Sequence, residues 1–283
     1  MPVFDADRAF DILAKQVSFG PRAPNSAGHA ACLNYLVNTL RGSTHDVELQ
    51  EFTHTGYNAE NLHLTNIIAK FSSEARSRIL LCAHWDTRPR AEQDEHPSRR
   101  KEPIPGANDG ASGVAVLLEL SRLFREHPPA IGIDVVLFDG EDYGREGDLA
   151  GYLIGSKFFA LNLPPEQSYQ FGILLDMIGD RSLEIPKEEH SVKYAPDVVE
   201  MVWSKAKELG NTEFIDLGSE AVYDDHLPLN EIGIKTIDLI DFNYPDATNR
   251  FWHTHQDSVQ NCSAASLGAV GTVLAHVIYT LSP

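Results

Sequence analysis

Two adjacent acidic residues, Glu141 and Asp142, follow a short apolar run near the middle of the sequence. The run, from Val135 to Phe138, has the β-branched and aromatic composition of a buried strand, and the glycine and acids after it indicate a polar loop. In open α/β sheets, ligands bind at this end of the strands. One acid of such a pair can bind a metal while the other transfers a proton. We interpret Asp142 as the metal ligand and Glu141 as the acid/base; the alternative is a strand end that is simply solvated by acids.

Other potential ligands follow further apolar runs along the chain. They are His84 and Asp86, Asp109, Asp176, the segment Asp224 to His226, and His253. Each lies in or near a loop that follows a predicted strand, so a parallel sheet would bring them to one edge. A single histidine beside an apolar run is more often structural than a ligand. The repetition at equivalent positions nevertheless predicts a common site.

The candidate ligands offer nitrogen and oxygen atoms but no sulfur. Such donors favour a catalytic zinc ion, which polarises a substrate carbonyl, over a closed structural zinc site. Asp86, two residues after His84, is placed to orient that imidazole. The aromatic residues near these positions are Trp85, Tyr143, Tyr152, Tyr223, Phe251 and Trp252. Core packing is the ordinary explanation for each of them except Trp252, which directly precedes His253.

The apolar pattern alternates between strand-like and helix-like segments. We predict helices at 5–18, 26–40, 114–124, 155–161, 196–209 and 264–281. We predict strands at 47–52, 62–71, 79–83, 133–138, 171–176 and 234–240. This alternation indicates an α/β fold with a mostly parallel central sheet and helices on both faces. Because no repeat or linker divides the chain, we predict a single catalytic domain over residues 1–283.

Composition restricts the classes of partner and the compartment. The chain has 283 residues, 42% of them hydrophobic, and a formal net charge of −18, which argues against nucleic acid or an anionic membrane surface as a partner. Three cysteines leave at least one unpaired, so we expect no disulfide framework. We expect no membrane span and see no signal peptide. Cytoplasmic and exported locations both stay open, the latter with a leader absent from this chain, and the oligomeric state is unknown.

Five motifs, taken in chain order, resemble the signatures of the zinc aminopeptidase-like exopeptidases. They are His84-Trp85-Asp86-Thr87, the stretch Gly106 to Gly113, Phe138-Asp139-Gly140-Glu141-Asp142, the stretch Leu174 to Gly179, and Trp252-His253-Thr254. Within that superfamily the sequence is most similar to the glutaminyl cyclases, particularly the bacterial ones. Two segments carry this closer resemblance, Tyr223 to Pro228 and Phe19 to Arg22.

The resemblance implies a role for each matching residue. Asp109, Asp142 and His253 would bind one zinc ion, and Glu141 would transfer protons. Asp176 and Asp224 would hydrogen-bond to Glu141 and keep it partly protonated, as clustered carboxylates raise one another's pKa. Trp252 would form the floor of the substrate pocket. In the related two-metal aminopeptidases the corresponding positions make His84 and Asp176 ligands of a second zinc ion, with Asp109 bridging the two metals.

Two departures from the family pattern concern the ligands and the pocket. The ligand after the catalytic acid is usually Glu in the family but is Asp142 here, which is a shorter side chain. The animal cyclases carry a tryptophan in the following loop, whereas the stretch 144–151 contains none. Tyr152 is the candidate to take its place, and Tyr223 is a further candidate for the pocket wall.

Three functions are compatible with these residues. The first is a zinc-dependent acyltransferase that cyclises the N-terminal Gln of a peptide to pyroglutamate and releases ammonia, for which one zinc ion is expected. The second is a zinc aminopeptidase in which Glu141 deprotonates a metal-bound water, with one or two metals. The third is a binding domain that has lost its chemistry. We favour the first because of the segment Asp224-Asp225-His226 and the overall likeness to bacterial cyclases.

Overall fold

A six-stranded sheet forms the centre of the computed structural model, which describes residues 1–145 and 147–282. Its strands are β1 (Val47–Thr55), β2 (Asn61–Phe71), β3 (Arg78–His84), β4 (Gly132–Phe138), β5 (Gly172–Asp176) and β8 (Thr236–Ile240). The order across the sheet is β1-β2-β4-β3-β5-β8. A second, two-stranded sheet pairs β6 (Ile185–Lys187) with β7 (Phe214–Gly218).

The strand directions explain why the two edges of the main sheet differ. Strands β4, β3, β5 and β8 are parallel, whereas β1 and β2 form an antiparallel pair and β2 is antiparallel to β4. Every residue of β3 is buried, as expected for a central strand with a continuous apolar run. The edge strand β1 has no fully buried residue. The predicted α/β fold with a mostly parallel sheet is therefore confirmed.

Helices cover both faces of the sheet. The side chains of β3 alternate, so that Leu81 packs into the larger core while Leu80 and Cys82 pack into the smaller one. The larger core is covered by α1 (Ala6–Val17), α2 (Ala27–Arg41), α3 (Ser112–Glu126), α6 (Pro196–Glu208) and α8 (Ala264–Thr280). The smaller core is covered by α4 (Ile154–Leu161) and α7 (His226–Glu231), and α5 (Glu189–Tyr194) packs against β8.

The predicted elements are all present, with ends that shift by up to three residues. Ser26 caps α2 as expected, because its side chain accepts a hydrogen bond from the His29 N–H at 3.1 Å. The sequence did not predict β6, β7, α5 or α7, since segments of three to six residues contain too few periods to give a pattern. As a result, the predicted position of Asp224 near the end of a strand of the main sheet was wrong. Asp224 precedes the short helix α7 and does not follow a strand of the main sheet.

The three cysteines lie in the interior of the protein. Cys32, Cys82 and Cys262 are buried and free, so the chain has no disulfide framework. Within the described residues, no helix combines the length and apolar character that crossing a bilayer requires.

We expect Leu81→Ala to lower the free energy of unfolding by about 2–5 kcal/mol, because Leu81 is fully buried in the central strand and truncation leaves a cavity. Chemical denaturation monitored by circular dichroism measures this change. Leu161→Ala is the matched control: its side chain is 84% exposed at the end of α4, so we expect a change within about 0.5 kcal/mol. Equal effects of the two substitutions would contradict the description of the core.

Candidate metal centre and active site

The candidate site lies at the edge of the sheet where the parallel strands end. His84 and Asp176 are the last residues of β3 and β5, and Glu141 and Asp142 follow β4 within four residues. Asp109 precedes α3, and His253 lies in the long segment between β8 and α8. The predicted convergence at the carboxyl ends of parallel strands is therefore what the structure contains.

Three of the candidate ligands form a compact buried group. Asp109, Asp142 and His253 each offer one donor atom, and these atoms lie within 4.8 Å of one another. The His253 Nε2 atom is 3.3 Å from Asp142 Oδ1 and 3.7 Å from Asp109 Oδ2. The Oδ2 atom of Asp142 is buried without a hydrogen-bond partner among the described residues. A buried set of one imidazole and two carboxylates, with an unpartnered oxygen, fits a zinc ion that keeps an open coordination position.

A second group shares Asp109 with the first. His84, Asp109 and Asp176 also offer donor atoms within 4.8 Å of one another. The Nε2 atom of His84 lies 3.2 Å from Asp109 Oδ1 and 3.1 Å from Asp176 Oδ1. Burial alone would lower the pKa of His84, but these hydrogen bonds raise it well above its usual value. The positions that bind a second zinc ion in two-metal aminopeptidases are thus also brought together.

Backbone geometry places the ligands with little freedom. His253 has φ 55° and Met177, next to Asp176, has φ 51°, which is the left-handed conformation that is uncommon for residues with a side chain. Gly110, next to Asp109, has φ 92°, and a Cβ atom there would lie 2.3 Å from the Asp86 carbonyl oxygen. Only glycine allows this close approach.

The loop that carries Asp109 is held by buried polar groups. The N–H groups of Asn108 and Asp109 donate to the Asp257 carboxylate at 2.7 and 3.2 Å. Burial and the nearby charge of Asp109 raise the pKa of Asp257 to about 7. On the other side, the fully buried Arg22 donates to the carbonyl oxygens of Trp85, Pro105 and Gly106. Neither role was predicted from the sequence, although Arg22 belongs to the segment Phe19 to Arg22 that resembles the cyclases.

Glu141 lies beside this donor group and has the environment of a proton-transferring acid. Burial and the adjacent charge of Asp142 raise its pKa well above the usual value. The 4.0 Å from Glu141 Oε2 to His84 Nδ1 places the carboxyl group next to the second donor set. Asp86 Oδ1 accepts the Glu141 N–H at 3.0 Å and lies 3.5 Å from His84 Nδ1. His84 Nδ1 has no hydrogen-bond partner among the described residues, so the orientation of the imidazole by Asp86 stays a prediction.

Asp176 and Asp224, which the resemblance makes hydrogen-bond partners of Glu141, each also contact another group. Asp176 Oδ1 is taken up by His84 at 3.1 Å, and Asp224 Oδ1 accepts the N–H of Asp225 at 2.6 Å. Asp224 still acts on Glu141 through its charge, which contributes to the raised pKa of Glu141. Burial and the charge of Asp176 in turn raise the pKa of Asp224 to about 6. The charge coupling between Asp224 and Glu141 is therefore present, and direct hydrogen bonds from Asp176 and Asp224 to Glu141 stay a prediction.

A pocket of about 760 Å³ opens above these groups, and the aromatic residues predicted for the substrate lie in its wall. The Trp252 ring stacks on the His253 imidazole with the ring centroids 3.5 Å apart. Tyr152 and Tyr223 also line the pocket, and the Tyr152 hydroxyl accepts a hydrogen bond from Arg88 Nη2 at 2.7 Å. At the mouth, the apolar side chains that are 39–67% exposed are Leu149, Leu217 and Phe242.

Some of the aromatic residues noted in the sequence belong to the core instead. Trp85 is fully buried, stacks on His29 and donates its Nε1–H to the Thr65 carbonyl at 3.1 Å. Tyr143 is buried and stacks on Tyr57. Core packing, the ordinary explanation, is correct for both.

The structure also brings a buried arginine to the site that the sequence analysis did not single out. Arg88 is fully buried and donates to Asp142 at both its side-chain and main-chain oxygen atoms. Its only sequence signal is its position four residues after His84, in the loop that follows β3.

Comparisons with known proteins agree with this geometry. Residues 66–278 match the family model described as Peptidase family M28. The solved structure of Tannerella forsythia glutaminyl cyclase is 40% identical, with a TM-score of 0.95, over 99% of this chain and 100% of that one. A leucine aminopeptidase precursor from Bacteroides thetaiotaomicron is also 40% identical, with a TM-score of 0.93, over 99% of both chains.

A more distant relative is the glutaminyl-peptide cyclotransferase of Gloydius blomhoffii. It is 24% identical over 89% of this chain and 75% of its own length. The family model covers most of the chain, including every candidate ligand. The fold, the donor set and these matches together show that the chain belongs to peptidase family M28.

Proposed function

We propose that this protein is a zinc-dependent glutaminyl-peptide cyclotransferase that converts the N-terminal Gln of peptides to pyroglutamate and releases ammonia. The observation that carries the proposal is the buried group of Asp109, Asp142 and His253 beside Glu141, at the base of an aromatic-walled pocket. The similarity to solved bacterial glutaminyl cyclases over the whole chain supports the choice of reaction. We further propose that residues 1–283 act as one catalytic domain.

In this proposal Asp109, Asp142 and His253 hold a single zinc ion. When bound, zinc supplies Lewis acidity that polarises the side-chain amide carbonyl of the substrate glutamine. The lining carboxylates, which include Glu184 and Glu220 nearer the mouth, attract the positively charged N-terminus of the peptide. Trp252 forms the floor beside His253, and Tyr152 and Tyr223 form the walls.

Glu141 transfers the proton that the reaction must move. The α-amine nitrogen of the substrate forms a bond to the side-chain amide carbon, which closes a five-membered ring, and the bond from that carbon to the amide nitrogen breaks. Glu141 takes a proton from the attacking amine and delivers it to the departing nitrogen, which leaves as ammonia. A carboxyl group with a raised pKa suits both steps, since it must accept a proton and then give it up.

The aminopeptidase is the second candidate, because the structure brings together a second donor group as well. His84, Asp109 and Asp176 resemble the other half of a two-metal site, and one of the solved relatives is described as a leucine aminopeptidase precursor. A hydrolase gains from activating water between two metals. A cyclase uses the substrate amine as its nucleophile and gains from excluding water. We therefore propose that His84 stays bonded to its neighbouring carboxylates in the active enzyme.

We expect His253→Ala to weaken zinc binding by more than about 100-fold, because loss of a ligand costs more than the roughly 10–100-fold that outer partners cost. Competition with a calibrated chelator measures the affinity. His255→Ala is the matched control: this imidazole is 2.8 Å from Asp94 and lies outside the donor group, so zinc affinity should stay within about threefold. Unchanged zinc binding by His253→Ala would remove His253 from the ligand set.

We expect Glu141→Gln to lower kcat by about 100-fold or more while zinc content stays the same, because the amide has the same shape but cannot transfer a proton. Ammonia release from a Gln-initiated peptide measures the rate. Glu166→Gln is the control, because Glu166 is an exposed acid between α4 and β5 that does not line the pocket, and this variant should keep nearly full kcat. A fully active Glu141→Gln variant would mean that another group is the base.

The two enzyme classes are separated by metal count and product. We expect about one zinc ion per chain and ammonia release from Gln-initiated peptides, with little cleavage of Leu-initiated ones, because cyclisation supplies its own nucleophile. Elemental analysis and a paired fluorogenic assay on the same sample measure both quantities. Two zinc ions per chain together with release of free N-terminal amino acids would establish the aminopeptidase instead.

A further inference from the structure

We propose that Arg88 is a positioning residue that fixes Asp142 as a zinc ligand and ties this ligand to Tyr152 in the pocket wall. The inference rests on the zinc site of the proposed function. Arg88 lies outside the donor group, and its side chain donates hydrogen bonds to Asp142, Tyr152 and Glu92.

Arg88 holds Asp142 at two points. Its Nη1 atom donates to Asp142 Oδ1 at 2.8 Å and to the Asp142 main-chain oxygen at 3.1 Å. Because one bond fixes the side chain and the other fixes the peptide group, both the backbone and the carboxylate orientation are restrained. The Oδ2 atom of Asp142 is left buried with no hydrogen-bond partner among the described residues.

The segment that carries Arg88 also binds the main-chain N–H group of Asp142. Asp86 accepts the N–H of Asp142 at 3.3 Å and the N–H of Glu141 at 3.0 Å. The loop after β3 therefore binds the loop after β4 through three groups of Asp142: its N–H, its C=O and its carboxylate. Asp142 has a shorter side chain than glutamate, so its carboxylate follows the backbone closely, and the position of the backbone decides where the ligand oxygen lies.

The second nitrogen of the fork reaches the substrate pocket. Arg88 Nη2 donates to the Tyr152 hydroxyl at 2.7 Å and also bonds to Glu92, and the guanidinium carbon lies 5.2 Å from the Tyr152 ring centroid. Tyr152 lines the pocket together with Asp142. One side chain thus fixes the position of a metal ligand relative to a wall that contacts substrate.

Arginine suits this role better than lysine. The side chain is 1% exposed, and burying a cation is costly unless its donors are paired. Nη1 and Nη2 of Arg88 are paired, whereas its Nε atom has no hydrogen-bond partner among the described residues. The planar guanidinium offers several N–H donors in a fixed fork and can serve Asp142, Tyr152 and Glu92 together, whereas an ammonium group is a compact point charge. A side chain that only filled space would not need these donors, because an apolar side chain could occupy the same volume.

The test compares Arg88→Met with Arg88→Lys and measures zinc affinity of the full chain by chelator competition. We expect Arg88→Met to weaken zinc binding by about 10–100-fold, the range seen when a partner of a ligand is removed. The zinc affinity of Arg88→Lys should lie between those of the wild type and Arg88→Met, since lysine keeps the positive charge but not the planar set of N–H donors. At saturating zinc, Arg88→Met should also raise KM for a Gln-initiated peptide, because Tyr152 loses its donor.

Arg90→Met is the matched control. Arg90 lies two residues further along the same loop and donates to the main-chain oxygens of Tyr143 and Gly144, but it contacts no candidate ligand. Its zinc affinity should stay within about threefold of the wild type. An equal loss in Arg90→Met and Arg88→Met would overturn the proposal, because general damage to the loop would then explain both.

Unchanged or tighter zinc binding by Arg88→Met would also overturn the proposal. Unchanged binding would mean that Arg88 does not position the ligand, and tighter binding would mean that the cation mainly repels the metal. If Arg88→Met does not fold, Arg88→Lys decides: wild-type zinc affinity and KM in that variant contradict the need for the fork. Failure of the proposed function would give a different result. It appears as a zinc-loaded wild type that releases no ammonia from Gln-initiated peptides, whatever the ratio of zinc affinities.

Discussion

The concentration of buried carboxylates at one edge of the sheet is the constraint on which the rest of the site depends. Removing a carboxylate from water is costly unless it is paired, hydrogen-bonded or bound to a cation. The buried acids that lie there are Asp86, Asp109, Asp142, Asp176, Asp224, Asp225 and Asp257. The described structure offsets their charge with buried guanidinium groups and imidazoles, and a zinc ion would add two further positive charges. Acids that are left without such a partner respond by a raised pKa, which is the property that Glu141 needs for proton transfer.

Stability and chemistry are therefore linked through the same contacts. Arg22 and Arg88 are buried cations near the candidate ligands. Each also donates to main-chain carbonyl groups in the loops that carry those ligands. Glycine at position 110 allows its loop to approach the Asp86 carbonyl group closely, and His253 has a left-handed backbone. The parallel sheet supplies a rigid base, because β3 is buried along its whole length.

The difference between a cyclase and an aminopeptidase on this scaffold does not lie in the donor groups, which can serve both reactions. It lies in the source of the nucleophile and in access of water to the reacting carbonyl. Here the Trp252 ring stacks on His253 in the wall of the pocket and adds apolar surface beside the candidate metal site. The side chains of Leu149, Leu217 and Phe242 add exposed apolar surface to the same pocket.

The sequence by itself determined the α/β fold and predicted which acids and histidines meet at one edge of the sheet. The apolar runs end in Asp, Glu or His at successive strands, and this pattern depends only on neighbouring residues. The strand order, with β4 between β2 and β3, and the short elements β6, β7, α5 and α7 came only from the tertiary structure. So did the partners of each carboxylate: Asp176 bonds to His84, and Arg88 bonds to an acid 54 residues away. Such contacts depend on how separate loops pack against each other, and no local pattern encodes that packing.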